Sequence, residues 1–281
     1  MLEGTRFAPP GQGRPFHILA IRGPAGSGKT HLACSGPGGI AIQSWDFGTR
    51  GVVEKHMTEG KQILVAEYQV DVDLQVDRRF KEADSKAEKE LVYTLADRQA
   101  DRIRKEVWLP FVDDRLAACR DPEVRTLVDD TASEMNEVLR LANFGKIEKN
   151  PRIAYGPVNA EYKSLVRMAH TYEKNLVLIE QVKRKWKSYT DGQGVTKEVE
   201  TDELEPKGNA SADYLVHSFV DTSFVQAKRD KSGEVVEPEK FLVKISKARL
   251  NPQANGMVLE NPDWVMLMMF LAPDVPSEAW A

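Results

Sequence analysis

Short apolar runs alternate with segments that favour helices along this chain. The apolar runs have the length of buried strands and cover residues 18–21, 40–44, 62–68, 125–131 and 175–181. The segments that favour helices cover residues 30–34, 133–142 and 158–172. Strands that alternate with helices are typical of a parallel sheet covered on both faces. The pattern therefore predicts an α/β fold with a mostly parallel sheet and helices on both faces.

Residues 71–121 interrupt this alternation with dense mixed charge. Their apolar positions recur at four residues or a multiple of four, at Ile103, Val107, Phe111 and Cys119. This spacing predicts an amphipathic helical insertion whose charges form a solvated face, with Pro110 as a candidate kink.

The remaining segments complete the predicted organisation. Residues 1–16 form an N-terminal arm, and residues 17–281 form one domain. Residues 182–212 are polar and lack periodicity, which predicts a mobile loop. Strands at 214–228 and 235–245 flank a turn at 230–233, which predicts a C-terminal β-hairpin within residues 214–249. The apolar tail after residue 251 is expected to join the core.

Composition narrows the class of protein. The 281 residues are 41% hydrophobic and 29% charged, as in a soluble globular protein, and the net charge is −4. This balance gives no bulk basic field, so any contact with nucleic acid needs local patches. Two cysteines, Cys34 and Cys119, suit a reducing compartment. No apolar run approaches the roughly 20 residues of a membrane span, so we expect a cytoplasmic protein without a membrane partner.

The most specific motif is GPAGSGKT at residues 23–30, which matches the phosphate-binding pattern G-x-x-x-x-G-K-[ST]. Glycines let successive backbone N–H groups turn toward phosphate oxygens at the start of a helix. Lys29 is expected to reach the β- and γ-phosphates, and Thr30 to ligate Mg²⁺. The predicted nucleotide-binding residues are Gly23, Pro24, Ala25, Gly26, Ser27, Gly28, Lys29 and Thr30.

An apolar strand that ends in aspartate follows about 100 residues later, at 125–131. A phosphate-loop enzyme needs such an acid beside Lys29 to hold Mg²⁺ through its water shell. Asp129 and Asp130 both qualify. The strand end favours Asp130, since Asp129 would point to the other face of the sheet.

The strand at 175–181 ends in Gln181, a candidate sensor of the γ-phosphate. It is followed by cations around one aromatic residue: Lys183, Arg184, Lys185, Trp186 and Lys187. Cations neutralise phosphates and an indole stacks on unpaired bases, so this cluster indicates single-stranded DNA. The competing interpretation is a solvated strand exit whose Trp186 packs on the core. Lys247 and Arg249 end a later strand, as solvated cations or as cations presented to a neighbouring subunit's nucleotide.

Taken in order, these pieces resemble the RecA-like P-loop ATPases, in particular the short phage-encoded AAA-type proteins of single-strand recombination and annealing. The resemblance covers about residues 17–251. It is carried by GPAGSGKT at 23–30, QSWDF at 43–47, RTLVDDTASEM at 125–135, YGPVNAEYKSL at 155–165, NLVLIEQ at 175–181 and KAR at 247–249.

The resemblance implies a RecA-like NTPase fold, ATP and Mg²⁺ as cofactors, and a homo-oligomer that forms a ring or a filament. It casts Asp46 as the acid that activates the attacking water, where RecA carries Glu. It places DNA-binding loops at 143–156 and 182–212, and it implies that Lys247 and Arg249 act across the subunit interface. For a phage-encoded protein the compartment is the host cytoplasm.

The function that follows is ATP-dependent binding of single-stranded DNA in phage-type recombination or annealing, with ATP hydrolysed at subunit interfaces. Two alternatives share the nucleotide motif. One is a hexameric helicase-like DNA translocase, and the other is a P-loop switch or kinase without a nucleic-acid partner.

Overall fold

The structure is a computed structural model that describes residues 14–71, 85–145, 155–190, 196–207, 209 and 213–280. Most of the predicted arm at 1–16, the first part of the predicted insertion and residues 146–154 of the predicted loop at 143–156 lie outside these residues.

An eight-stranded mixed sheet forms the centre of the fold, with the strand order β12-β11-β8-β1-β5-β4-β2-β3. Its strands are β1 (Ile18–Arg22), β2 (Gly39–Ser44), β3 (Ile63–Glu67), β4 (Val124–Asp130), β5 (Asn175–Glu180), β8 (Ser218–Val225), β11 (Lys240–Ala248) and β12 (Val258–Glu260). The strands from β3 to β8 in this order pair in parallel, whereas β11 pairs antiparallel with both β8 and β12. The predicted α/β class with a mostly parallel sheet is confirmed.

Two antiparallel ribbons lie outside this sheet. The larger pairs β6 (Val182–Thr190) with β7 (Thr196–Pro206), and the smaller pairs β9 (Lys228–Arg229) with β10 (Val235–Glu237). The helices are α1 (Lys29–Cys34), α2 (Val52–Thr58), α3 (Lys86–Ile103), α4 (Leu109–Arg120), α5 (Ala132–Phe144), α6 (Tyr155–Thr171) and α7 (Trp264–Leu271).

Helices cover both faces of the sheet, because alternate residues of its buried strands point to opposite sides. One face packs against α3, α4, α5 and α6 through side chains such as Phe111 and Tyr162. The other packs against α1, α2 and α7 through side chains such as Leu32, Val53 and Trp264. The apolar tail therefore joins the core, as its composition predicts.

The described part of the predicted insertion is helical. A five-residue π-helical segment, Arg104–Trp108, connects α3 to α4 directly before Pro110. Proline lacks the N–H that would bond to residue 106, so the widened turn falls where the α-helical ladder is already interrupted. Ile103, Phe111 and Cys119 are buried, in agreement with their spacing.

Two segments differ from the prediction. Residues 182–190 and 196–206 pair as the β6–β7 hairpin, so this part of the segment expected as a mobile loop is regular structure. The predicted C-terminal hairpin at 214–249 is present as β8 and β11, but it starts at Ser218 and extends the main sheet through the pairing of β8 with β1. The local sequence pattern of β8 does not predict its pairing with β1, because the two strands are about 200 residues apart.

A buried ion pair connects the helical insertion to the sheet. Arg115 of α4 donates to the carboxylate of Asp129 on β4, and both side chains are fully buried. Arg115 Nε also donates to Gln43 Oε1 of β2 at 2.8 Å. The carboxylate is therefore compensated on the face of the sheet that carries α3 to α6.

Replacing Arg115 is expected to destabilise the fold. We expect Arg115→Met to lower the free energy of unfolding by about 3–5 kcal/mol, because it leaves the Asp129 carboxylate buried without a counter-charge. Urea denaturation at pH 7 measures this. The double variant Arg115→Met, Asp129→Leu is the control, and it should recover most of the loss.

The same variant has a predicted pH dependence. Burial raises the pKa of Asp129 and the Arg115 charge lowers it, so without Arg115 the folded state takes up a proton more readily. The stability deficit relative to the wild type should shrink between pH 7 and pH 5. A deficit that is constant over this range, or below about 1 kcal/mol at pH 7, would contradict the role assigned to the pair.

Candidate functional site

A cavity of about 370 Å³ lies at the carboxyl ends of the central strands, where the loop after β1 meets the ends of β2, β4 and β5. Its lining combines loop residues with acids and an amide from three other strand ends. These residues are Gly23, Pro24, Ala25, Gly26, Lys29, Thr30, Asp46, Gly48, Asp130, Thr131, Gln181 and Val182. Crevices outside the carboxyl ends of parallel strands are the usual place for ligands in open α/β sheets.

The loop at residues 23–28 has a conformation that its glycines permit. Gly26 and Gly28 have φ angles of 74° and 83°, a region that disfavours side chains with a Cβ. Ser27 Oγ donates to Pro24 O at 2.8 Å and shares a hydrogen bond of 2.7 Å with Thr222 Oγ1 of β8. The loop is therefore stabilised by a hydrogen bond within it and by one to the neighbouring strand β8.

Three polar side chains converge in this cavity from the start of α1 and from the end of β4. Lys29 Nζ donates to the carbonyl oxygens of Gly23 and Pro24 at 2.9 and 2.6 Å. Thr30 Oγ1 donates to Asp130 Oδ2 at 2.9 Å, although the two residues are 100 positions apart. Because α1 begins at Lys29, the N–H groups of its first turn have no partner inside the helix.

Asp130 and Asp129 occupy different environments. Asp130 ends β4 on the α1 face and lines the cavity, whereas Asp129 forms the buried pair with Arg115 on the opposite face. Burial and the nearby charge of Asp46 raise the pKa of Asp130 to about 6. Asp46 is exposed two residues after β2, and its Oδ1 accepts from Gly48 N at 2.9 Å. The two cavity acids are thus Asp130 and Asp46.

Gln181 follows β5, the strand that separates β1 from β4, and so lies between the loop and Asp130. Its backbone N–H donates to Ser133 Oγ at 3.0 Å, and its carbonyl accepts from Lys207 N at 2.8 Å. Val182 also lines the cavity and begins β6. The β6–β7 hairpin is therefore rooted in the cavity wall.

The cations of β6 are paired with acids that the linear sequence does not place near them. Lys183 contacts Glu205 at 3.2 Å, Arg184 contacts Glu200 at 3.5 Å, and both Lys185 and Lys187 contact Glu203. Trp186 is 56% exposed. The expectation that it packs on the core is therefore wrong, and the cluster is a solvated, charge-compensated ribbon.

Lys247 and Arg249 lie near the amino ends of the parallel strands β1 and β8, opposite the end of the sheet that carries the cavity. Ala248 pairs with Ser218, which pairs with Leu19 near the start of β1, so the end of β11 is remote from the loop that follows β1. Lys247 Nζ lies 5.0 Å from the centroid of the Phe219 ring. Arg249 is exposed, and its backbone N–H donates to His217 O at 3.0 Å. Neither side chain lines the cavity of its own chain.

Comparison with protein-family models and with curated proteins gives no match. Within the described ranges, no helix combines the length and apolar character needed to cross a membrane. The same residues contain no group of three His, Cys, Asp or Glu side chains suited to a metal.

Sequence reasoning missed some residues of the site. Gly48 and Val182 line the cavity, and Thr222 fastens Ser27, but none belongs to a recognisable motif. Gly48 lies four residues after the end of β2, and this position could have indicated that it lines the cavity. Thr222 could not have been found, because the pairing of β8 with β1 brings it to the loop.

Proposed function

We propose that this chain is a RecA-like P-loop ATPase that binds single-stranded DNA in an ATP-dependent manner, with a role in phage-type recombination or annealing. The observation that carries the nucleotide part is the contact of Thr30 with Asp130 beside Lys29. A hydroxyl at the start of a helix and a carboxylate at a strand end are the oxygen ligands expected around a Mg²⁺ that also binds phosphates.

The roles follow from the position of each group. The N–H groups of the loop and the Lys29 ammonium would hold the β- and γ-phosphates, since backbone N–H groups and ammonium groups both bind phosphate oxygens. Thr30 and Asp130 would hold Mg²⁺, in part through water, and the metal would neutralise charge that develops on the phosphates. Asp46 would orient the attacking water, and Gln181 would report the γ-phosphate to the hairpin that follows it.

The Asp130 carboxyl predicts a pH dependence for this site. With its pKa near 6, Asp130 is ionised at pH 7 and protonated below pH 6, so Mg²⁺-dependent ATP binding should weaken about tenfold per pH unit below 6. The Asp46 charge raises the pKa of Asp130. Asp46→Asn removes this charge, so the pH at which ATP binding begins to weaken should move to a lower value.

Calorimetric titrations with Mg²⁺ and ATP between pH 5 and pH 8 measure the effect. ATP titrates in the same range, so the Asp130→Asn variant is run in parallel and its pH profile is subtracted. An unchanged midpoint in Asp46→Asn, or equal profiles for the wild type and Asp130→Asn, would contradict the assignment.

The DNA part of the proposal rests on the β6–β7 hairpin. The hairpin presents exposed Trp186 together with four cations, and it begins at a residue of the cavity wall. Aromatic side chains and cations along one ribbon are the usual contacts for unpaired bases and phosphates. The glutamates of β7 compete for these cations, so DNA must displace them, and the ribbon should bind weakly unless ATP favours a different state.

The same ion pairs favour a second candidate, a P-loop switch or kinase that has no nucleic-acid partner. A charge-compensated ribbon has little net attraction for a polyanion. In that case the hairpin would be a solvated surface, and only the nucleotide site would be functional.

ATP hydrolysis with and without single-stranded DNA, over a salt series, separates the two candidates. We expect stimulation by DNA that falls steeply with salt. Lys183→Glu with Lys185→Glu should remove the stimulation, whereas Glu203→Gln with Glu205→Gln should strengthen DNA binding by freeing the lysines. Hydrolysis that is indifferent to DNA in the wild type and in both double variants would support the switch or kinase.

A further inference from the structure

Two phenylalanine rings lie beside the phosphate loop on the face of the sheet that carries α1. Phe224 of β8 is paired with Phe241 of β11, and their ring centroids are 5.1 Å apart. Thr222, two residues before Phe224 and therefore on the same face, contacts Ser27 of the loop. The aromatic pair thus continues the surface on which the loop rests.

Phe241 lies directly against the end of the loop. A Cβ added to Gly28 would come within 2.5 Å of Phe241 Cδ1, and the ring of His31 in α1 is 6.2 Å from the Phe241 ring. Gly28 therefore allows the ring to approach the backbone that leads into Lys29. The aromatic surface begins where the phosphate-binding segment ends.

The order of strands sets the direction in which a bound nucleotide must extend. β8 and β11 lie on one side of β1, and β5, β4 and β2 lie on the other. The acids Asp130 and Asp46 follow β4 and β2, so the phosphate at which reaction occurs belongs on that side. The base and the γ-phosphate are at opposite ends of a nucleoside triphosphate, so an extended nucleotide would direct its base toward β8 and β11.

The Phe241 backbone is anchored by two hydrogen bonds, and both rings are accessible to solvent. The Phe241 N–H donates to Asn261 Oδ1 at 2.8 Å, and its carbonyl accepts from Asn261 N at 2.7 Å. Phe224 is 38% exposed, and Phe241 is partly exposed. A fixed aromatic face that remains open to solvent has little ordering entropy to lose when a flat ligand stacks on it.

We propose that Phe224 and Phe241 form the nucleobase platform of this site. The proposal rests on the nucleotide-binding function above and adds the part of the ligand that lies beyond the phosphates. Stacking on a phenyl ring is open to every base because each base has a π-face. The platform therefore identifies the ligand class as nucleoside triphosphates, and it contributes affinity with little selection among bases.

The test compares ATP with inorganic tripolyphosphate, which carries the phosphates without a base. Calorimetry in the presence of Mg²⁺ gives Kd for both ligands with the wild type and with Phe224→Leu, Phe241→Leu. Leucine keeps apolar packing against Gly28 but removes the π-face. We expect Kd for ATP to rise about tenfold in the double variant and Kd for tripolyphosphate to stay unchanged.

Tyr214→Leu, which removes an exposed aromatic ring elsewhere, is the matched control and should leave both constants unchanged. Equal weakening of both ligands in the double variant would show that the rings only support the loop, and this would overturn the proposal. Equal affinity of the wild type for ATP and tripolyphosphate, or no change for ATP in the double variant, would also overturn it. A wild type that binds neither ligand would instead refute the nucleotide-binding function itself.

Discussion

Lys29→Ala should reduce ATP hydrolysis by about 100-fold or more, because a preorganised positive group aimed at the transferred phosphate is usually worth that much. Lys29 already points into the cavity, where its ammonium donates to Gly23 O and Pro24 O. Burial lowers the pKa of Lys29, but the carboxylates of Asp130 and Asp46 oppose this effect and favour the charged form. In the proposed reaction, the Lys29 side chain would lie where negative charge develops on the phosphates.

Release of phosphate under steady-state conditions measures the effect. Lys231→Ala removes the same charge from an exposed turn residue and should hydrolyse ATP at the wild-type rate. Thermal unfolding of both variants excludes a loss of fold. If Lys29→Ala retains more than about a tenth of the wild-type rate, the loop is not a catalytic phosphate site.

The sequence predicted the parts of the site that are local along the chain. The loop, Lys29 and Thr30 belong to one eight-residue motif, which lies between β1 and the first turn of α1. Asp130 and Gln181 follow apolar runs, and parallel strands that run side by side bring their carboxyl ends together. The order of apolar strands along the chain was therefore enough to predict that Asp130 and Gln181 lie near the loop.

The β6–β7 hairpin shows why other parts could not be predicted. The described side chains on both faces of this ribbon are mostly exposed, so neither strand needs an apolar face, and the alternation that identifies a strand is missing. The segment consequently has the composition of a loop. The ion pairs of its glutamates could not be predicted either, because the contact of Glu205 with Lys183 depends on the register in which β6 and β7 pair.

The ion pair of Arg115 with Asp129 could not be predicted either, because it also joins two distant segments of the chain. An arginine in a highly charged helix is expected on a solvated face. Arg115 does lie on the buried stripe of α4, four residues from both Phe111 and Cys119, but this spacing does not identify Asp129 as its partner. Its burial follows from the packing of α4 over β4 and β2. Contacts between distant segments thus decide which charges are structural and which are available to a ligand.

Arg249 is expected to act on the nucleotide of a neighbouring copy of the chain. Its side chain is exposed at the edge of the sheet opposite the cavity, so it cannot reach the phosphates of its own chain. We expect Arg249→Ala to lower ATP hydrolysis on the order of 10³-fold, the usual value of an arginine supplied in trans. Kd for ATP should stay unchanged, since the loop, Lys29 and Asp130 remain intact.

Mixing two inactive variants tests the trans arrangement directly. In an oligomer that contains both Lys29→Ala and Arg249→Ala subunits, some interfaces join an intact cavity from the second variant to an intact Arg249 from the first. Hydrolysis should therefore return on mixing, although neither variant is active alone. Lys244→Ala removes an exposed cation of β11, the strand that precedes Arg249, and should behave as the wild type. A mixture no more active than its components, or an Arg249→Ala variant with the wild-type rate, would show that each cavity works without its neighbour.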